Sequence, residues 1–104
     1  MLLRNCETIR DKAMLEFLYS TAVRVSELAA LNRNDIKWLS KDLTILGKGN
    51  KERIVYLNDR TNMYMREYLE SRTDTNPALF VSLRYPHNRL TKGGIEDIIR
   101  RIGK

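Results

Sequence analysis

The 104-residue sequence has very little cysteine and histidine, one of each, and only two prolines. Cys6 has no second thiol to pair with, so an internal disulfide and a zinc site built from thiolates are both excluded. His87 is the single imidazole, and neither a metal site nor any other cofactor is expected. No apolar run approaches the roughly 20 residues of a membrane span, and no signal-peptide pattern opens the chain. The expectation is a cytoplasmic protein that stays out of membranes.

Positive charge, by contrast, is abundant. Lysine and arginine number 19 against 13 aspartates and glutamates, which gives a formal net charge of +6 at pH 7. The cations concentrate around one predicted hairpin and in the last quarter of the chain: Lys41, Lys48, Lys51 and Arg53, then Arg84, Arg89, Lys92, Arg100, Arg101 and Lys104. That distribution predicts a polyanionic partner, with DNA or RNA first. An anionic membrane surface ranks lower because no predicted helix combines a basic face with exposed aromatic side chains.

Hydrophobic periodicity predicts one α+β domain over residues 1–104, with helices around a small three-stranded antiparallel sheet. Helix starts are expected at the capping residues Thr8, Ser26, Asn58 or Asp59, and Thr91. Strands are expected over residues 36–38, 43–46 and 53–57. A polar loop over residues 71–77 and a buried segment over residues 78–81 separate the third helix from the last.

Two cations are each placed by a local feature of the sequence. Arg24 comes just before the helix start expected at Ser26, where free N–H groups and the positive end of the helix dipole favour a phosphate. Lys48 stands between Gly47 and Gly49 at a sharp reversal, where glycine can take positive φ and leaves room for a ligand. Arginine offers a planar fork to two oxygens, whereas lysine can also release a proton. The pair suggests chemistry at a phosphodiester.

A set of short motifs follows in a fixed order along the chain: Arg10-Asp11-Lys12-Ala13-Met14-Leu15, Tyr19-Ser20-Thr21, Arg24-Val25-Ser26-Glu27-Leu28, Asp35-Ile36 and Gly47-Lys48-Gly49-Asn50-Lys51-Glu52-Arg53. In this order and spacing they closely resemble the tyrosine recombinases, the phage integrases and bacterial Xer-type enzymes, over residues 8–103. The resemblance implies an enzyme that cuts and rejoins double-stranded DNA through a phosphotyrosine intermediate. It further implies that no metal or nucleotide cofactor is used and that the whole enzyme acts as a tetramer on DNA.

The resemblance also assigns residue roles. Arg24 looks like the first of two arginines that grip the scissile phosphate, and Glu27 like an acid that supports the active site. Lys48 looks like the hairpin lysine that protonates the departing 5′ oxygen. These roles agree with the physics, because fixed donors stabilise negative charge on the phosphate and the leaving oxygen needs a proton. Contacts to the DNA backbone are expected from Lys51, Arg53, Arg89, Thr91 and Lys92.

The sequence departs from the family pattern in several places. Ala22-Val23 stands where the family often has Gly-Leu or Gly-Met, a change that alters the bend before Arg24, and Tyr56 stands where proline is common. The later His-x-x-Arg box, a further His or Trp, the nucleophilic Tyr and the separate N-terminal DNA-clamping domain are not in this sequence. The 104 residues are therefore interpreted as the N-terminal part of a catalytic domain that binds DNA without cleaving it.

His87 and the tyrosines are the remaining candidates for catalytic chemistry. His87 is not the family histidine, because Leu90 rather than arginine stands three places later, and it is expected to be a solvated loop residue. Since no catalytic box precedes any of them, five tyrosines are interpreted as packing or strand residues rather than nucleophiles: Tyr19, Tyr56, Tyr64, Tyr68 and Tyr85.

Two alternatives remain open at this point. Residues 26–31 look like the first helix of a helix-turn-helix regulator, with the basic hairpin as a wing. Against this, too few residues follow Leu31 to form a recognition helix before Trp38. The other alternative retains the recombinase fold without catalysis, as a remnant that only binds DNA.

The last helix has the clearest amphipathic pattern, with four isoleucines at i, i+3, i+4 and i+7: Ile95, Ile98, Ile99 and Ile102. In a whole catalytic domain this stripe should face the helices that follow. With the chain ending at Lys104, part of the stripe is expected to be bare, and self-association through these isoleucines is predicted.

Overall fold

Four helices and one β-hairpin form the part of the chain that the computed structural model describes, residues 8–102. The helices are α1 (Ile9–Thr21), α2 (Val25–Ala29), α3 (Asp59–Ser71) and α4 (Lys92–Ile102), and the strands are β1 (Asp42–Leu46) and β2 (Glu52–Tyr56). Short 3-10 turns cover Arg33–Asp35 and Lys48–Asn50. The strands pair antiparallel, with Leu43 opposite Val55 and Ile45 opposite Arg53. The predicted α+β class is confirmed.

The third strand expected over residues 36–38 is wrong, because the sheet has two strands. Lys37 forms a single isolated bridge, with its N–H donating to the Asp42 carbonyl at 2.9 Å. The chain reverses directly afterwards: the Lys41 N–H donates to the Lys37 carbonyl at 2.7 Å, and Lys41 has a φ of 59°. A segment that turns back after one bridge cannot extend a ladder, although its residue types suit a strand.

Side-chain caps begin three of the helices as predicted. The side-chain oxygens of Thr8, Asn58 and Thr91 accept hydrogen bonds from the backbone N–H groups of Asp11, Thr61 and Gly94, at 3.2, 2.8 and 3.0 Å. Each bond satisfies one of the N–H groups that a helix start leaves without an intrahelical partner. Three of the four elements that surround the hairpin therefore start where the sequence predicts.

The cap predicted at Ser26 is wrong, because α2 begins at Val25 and Arg24 is its N-cap residue. Arg24 has the extended backbone of a cap, with φ of −76° and ψ of 154°. The Glu27 carboxylate reaches back and accepts the Arg24 N–H at 2.8 Å, so the acid at the third helical position supplies the cap interaction. Ser26 lies inside the first turn and is exposed.

The isoleucine stripe of α4 closes the core of this chain. Ile95, Ile98 and Ile102 are buried, with exposed fractions of 0%, 8% and 3%, and Ile99 is half-buried against the same cluster. The core that they join is built from α1, α2, α3 and the inner face of the hairpin, including Met14, Phe17, Leu28, Leu43, Ile45 and Met65. The expectation of a bare stripe is therefore wrong for the described residues. The self-association predicted through these four side chains depended on exposed apolar surface, and that surface is covered by the core.

The loop after α3 is held by Arg72, whose side chain is 4% exposed. Its guanidinium donates to both carboxylate oxygens of Asp74, at 2.9 and 2.6 Å, and to the carbonyls of Ala78 and Leu79, at 2.8 and 3.0 Å. The Arg72 hydrogen bond is the main reason that the pKa of Asp74 lies well below its ordinary value. Residues 78–81 are buried as predicted. None of the helices in residues 8–102 is long and apolar enough to span a membrane.

Candidate phosphate-binding site

Arg24, Glu27 and Lys48 line one cleft of ≈ 530 Å³ between α2 and the hairpin. Arg24 and Glu27 lie at the start of α2, and Lys48 lies on the turn between the two strands. The cleft is completed by Ser26, Ala30, Leu31, Asp35, Thr44, Ile45 and Leu46. The fold thus brings together the three side chains that the resemblance singles out, across a gap of more than twenty residues in the sequence.

Arg24 is directed to the surface by the bend that precedes it. Ala22 ends α1 in the left-handed region, with φ of 56°, and its N–H donates to the Leu18 carbonyl at 3.0 Å. Val23 is then buried, with 6% of its surface exposed, and the next side chain, Arg24, is exposed. Within residues 8–102 the Arg24 guanidinium makes no hydrogen bond or ion pair, so its fork of donors is available to a ligand in the cleft. Because α2 has only five residues, its dipole is weak and this fork is the main attraction for a phosphate.

Lys48 occupies a tight turn whose backbone is closed by one hydrogen bond, from the Gly47 N–H to the Lys51 carbonyl at 2.8 Å. Gly49 takes a φ of 73° and Asn50 a φ of 60°, which are conformations that glycine and asparagine tolerate best. The Lys48 side chain is exposed and has no ion-pair partner within residues 8–102. Its ammonium is therefore available to a ligand in the cleft.

The carboxylate of Glu27 joins the two walls of the cleft. Arg53 on β2 donates to both of its oxygens, at 3.1 and 2.9 Å, while the Arg24 N–H donates from α2 at 2.8 Å. The hydrogen bond from Arg53, followed by that from the Arg24 backbone, lowers the pKa of Glu27, so the carboxylate is ionised at neutral pH. We call this Glu27–Arg53 pair the clasp. It fixes β2 against the start of α2.

Gly47 permits the clasp to form. Its φ of −97° is ordinary, so positive φ is not the reason for glycine at this position. A Cβ at Gly47 would lie 3.3 Å from Glu27 Oε2 and 3.5 Å from Arg53 Nη1. The two glycines that flank Lys48 therefore have different functions: Gly49 supplies the turn, and Gly47 supplies room for the ion pair beside it.

The five residues expected to contact DNA have different environments. Lys51 is exposed next to the turn, whereas Arg53 belongs to the clasp and is half-exposed, with a side-chain fraction of 45%. Thr91 and Lys92 are exposed at the start of α4, and Thr91 also caps that helix. Arg89 differs from the others because its guanidinium donates within the protein, at the C-terminal end of α2. The acceptors are the carbonyls of Ala29 and Leu31 and the side-chain oxygen of Asn32.

Asp35 also lines the cleft, although its motif in the sequence predicts no role for it there. Its carboxylate accepts the Asn32 N–H at 2.7 Å and thereby caps the 3-10 turn that follows α2. The spacing Asn32-x-x-Asp35 is a capping pattern, so its local role was visible in the sequence. Its position in the cleft was not, because that depends on how the turn packs beside β1.

His87 and two tyrosines differ from their predictions. His87 is half-buried, with Nδ1 2.9 Å from the Ser82 carbonyl, and is not a fully solvated residue. Tyr68 packs as expected, stacked on Phe80 at 5.2 Å, but Tyr19 and Tyr85 are 85% and 90% exposed and pack little. Exposure of a loop or helix-end tyrosine depends on what the fold leaves beside it, which local sequence does not reveal.

The segment after α2 does not favour the helix-turn-helix alternative. Only the three-residue turn Arg33–Asp35 lies between α2 and the bridge at Lys37, and β1 follows. A recognition helix must be long enough to lie in the major groove, and this part of the chain has none.

Comparison with known proteins agrees with this fold. The model of the phage integrase family matches residues 1–104. The chain is 38% identical over 101 residues to tyrosine recombinase XerC of Corynebacterium glutamicum, which covers 94% of this chain and 32% of that protein. Against tyrosine recombinase XerD of Oceanobacillus iheyensis the identity is 39% over 100 residues, covering 89% and 33%.

A solved structure shows the same architecture. The crystal structure of XerA recombinase superposes with a TM-score of 0.85 at 32% identity, covering 98% of this chain and 38% of that one. The chain belongs to the phage integrase family. It spans about a third of the length of the XerC and XerD relatives named above.

Proposed function

We propose that this chain is the N-terminal part of the catalytic domain of a site-specific tyrosine recombinase, an enzyme that breaks and rejoins double-stranded DNA through a phosphotyrosine intermediate. The observation that carries the proposal is the cleft in which Arg24 and Lys48, both exposed and without ion-pair partners in residues 8–102, line one site. Support for the substrate comes from the net charge of +6 and from a structural neighbour of the same fold, XerH, described as bound to its palindromic difH substrate.

Each cleft residue has a part in this reaction. The Arg24 fork binds non-bridging oxygens of the scissile phosphate and stabilises the negative charge that attack by a tyrosine builds there. The Lys48 ammonium donates a proton to the 5′ oxygen as its bond to phosphorus breaks. Glu27 and Arg53 act through the clasp, which holds the start of α2 and the hairpin in register. Lys51, Thr91 and Lys92 contact the DNA backbone, and the whole enzyme works as a tetramer on DNA.

The salt dependence of DNA binding tests the cleft. Arg24→Ala or Lys48→Ala should each lower affinity for a short duplex about tenfold, the cost of one charge-assisted contact, and reduce the slope of log K against log salt by about 1. Lys37→Ala is the matched control, because it removes one exposed charge that does not line the cleft. Equal losses for all three variants would show that the chain responds to net charge alone.

Strand cleavage is a separate test. Since these residues include no His-x-x-Arg box, the 104-residue chain should bind DNA without breaking it. The chain is incubated with a suicide DNA substrate and resolved by denaturing electrophoresis. A covalent protein–DNA band would contradict the prediction and would require one of the tyrosines of this chain to be the nucleophile.

A further inference from the structure

The guanidinium of Arg89 is directed at the C-terminal end of α2. Its Nη1 donates to the carbonyls of Ala29 and Leu31, at 3.1 and 2.9 Å, and its Nη2 donates to Asn32 Oδ1. The last carbonyls of a helix have no intrahelical partner, and a planar fork of donors is well suited to bind several at once. Arg89 therefore caps α2 from a position 57 to 60 residues further along the chain.

The backbone of Arg89 is itself fixed to the core. Arg89 forms an antiparallel bridge with Val81, and the N–H of the next residue, Leu90, donates to the Phe80 carbonyl at 3.1 Å. Phe80 and Val81 are each 3% exposed. The arginine thus connects a buried segment to α2, and it does so two residues before the cap of α4.

α2 is short, and besides Arg89 it is held by the clasp at its start and by the Leu79 N–H, which donates to the Leu31 carbonyl just after its end at 2.9 Å. The helix has five residues, and Leu28 is the only one of them that is buried. At 1.5 Å per residue it is about 7 Å long, so its two ends are little more than one turn apart. A shift at Ala29 is therefore carried directly to Arg24 and to Glu27 at the other end.

We infer that Arg89 is a positioning residue for the phosphate grip: by holding the end of α2, it sets the direction of the Arg24 guanidinium. This differs from the role of DNA contact that the sequence predicts for Arg89, since at least two of its donor nitrogens are used within the protein. The inference rests on the proposed function, because it requires that Arg24 bind a phosphate.

A double-mutant cycle separates positioning from contact. Affinity for a short fluorescent duplex is measured by anisotropy for Arg89→Met, alone and combined with Arg24→Ala. If Arg89 acts through Arg24, Arg89→Met lowers affinity about fivefold in the unsubstituted chain and less than about twofold in the Arg24→Ala chain. Equal fold losses in both chains would overturn the inference. Lys92→Ala, an exposed charge at the start of α4, is the comparator whose loss should be equal in both.

The conservative variant gives a second criterion. Arg89→Lys keeps the charge but has no fork to reach two carbonyls and an amide, so it should bind as weakly as Arg89→Met. Affinity close to that of the unsubstituted chain would indicate a simple charge contact with DNA and overturn the inference.

Hydrogen exchange distinguishes a local effect from general loosening. Arg89→Met should speed exchange of the Leu28 N–H, which donates to the Arg24 carbonyl at 2.9 Å, and leave the amides of β1 and β2 unchanged. Faster exchange throughout would overturn the inference. If Arg89→Met does not fold, Asn32→Ala takes its place in both measurements, with a smaller loss in the same pattern.

Different results would overturn the proposed function and the positioning role of Arg89. An unsubstituted chain that does not bind DNA, or that binds regardless of Arg24→Ala, overturns the proposed function and this inference together. A chain whose binding depends on Arg24 but shows an additive cycle with Arg89 overturns this inference alone.

Discussion

At the scale of single residues, Ala22 is the clearest point of strain. It has the left-handed φ of 56° that ends α1, at a position where the resemblance leads one to expect glycine. Its side chain is exposed, so no packing is lost when the Cβ is removed. Left-handed backbone costs an alanine about 1 kcal/mol or more, and the extra freedom of glycine in the unfolded chain offsets part of that. We predict that Ala22→Gly raises the free energy of unfolding by about 0.5 kcal/mol, measured by urea titration.

Ala30 provides the control for this prediction. It is also exposed, but its φ is −86° and its ψ is −10°. Glycine has no steric advantage there and only adds entropy to the unfolded chain, so Ala30→Gly should lower stability by about 0.5–1 kcal/mol. A loss of stability at both positions would mean that the bend after α1 is not strained.

At the scale of elements, the loop between α3 and residues 78–81 is organised around Asp74, which forms ion pairs with both Arg72 and Arg33. Arg72 uses its whole guanidinium to bind Asp74 and the carbonyls of Ala78 and Leu79. Asp74→Asn keeps the shape and one acceptor but removes the charge. It should lower the free energy of unfolding by about 2 kcal/mol at pH 7, the usual value of a hydrogen bond to a charged group. Asp97→Asn, in the exposed pair with Arg100, should change it by less than about 0.5 kcal/mol.

The same aspartate predicts how stability depends on pH. The pKa of Asp74 in the folded chain lies below its ordinary value of 3.8, because Arg72 stabilises the ionised form. Its contribution is therefore complete above about pH 4 and is lost as the pH falls through the lower pKa of the folded state. Urea titrations at a series of acid pH values should show a steeper decline for the unsubstituted chain than for Asp74→Asn. Parallel declines would show that Asp74 does not contribute to the acid sensitivity of the fold.

Local sequence predicted those elements whose causes are local. Thr8, Asn58 and Thr91 start helices because their side chains bond to N–H groups three residues away. The strands of the hairpin were likewise predicted to within about one residue. The third strand does not form because the chain reverses at Lys41, although the residues there favour a strand. The start of α2 is displaced because Glu27 caps it through the Arg24 N–H, although Ser26 is the more usual capping residue.

The sequence identifies the residues of the candidate site, but it does not predict which other residues they and their neighbours bind. The motifs identified Arg24, Glu27 and Lys48, which the fold gathers in one cleft. The partners of Arg53 and Arg89 lie 26 and 57 to 60 residues away, and pairings over such distances leave no periodic pattern in a single sequence. The sequence therefore shows which cations are present, and not which of them form hydrogen bonds or ion pairs within the protein.

At the scale of the whole molecule, the buried isoleucines of α4 belong to the core of the chain, so they are not available as an interface with a second copy. Ile98 is 8% exposed and packs in the core cluster. Ile98→Ala should therefore lower the free energy of unfolding by about 2–4 kcal/mol, through lost burial and a residual cavity. Leu39→Ala, at a fully exposed leucine, should leave the free energy of unfolding nearly unchanged.

Sedimentation at increasing protein concentration tests whether the stripe is an interface, and it should show the same species for Ile98→Ala and the unsubstituted chain. A change of association state without loss of stability would show that the stripe is an interface.

The clasp between Glu27 and Arg53 has a consequence for the thermodynamics of binding. Since it connects the start of α2 to β2, the clasp also fixes the two backbones that carry Arg24 and Lys48 relative to each other. On the proposed function, a phosphate bound by both cations would have mainly the two side-chain tips to order, at about 0.5–1.5 kcal/mol each. Preorganisation of this kind is expected to appear in calorimetry as a small entropic penalty for binding. Glu27→Gln, which weakens the clasp while leaving both cations in place, should make that penalty larger.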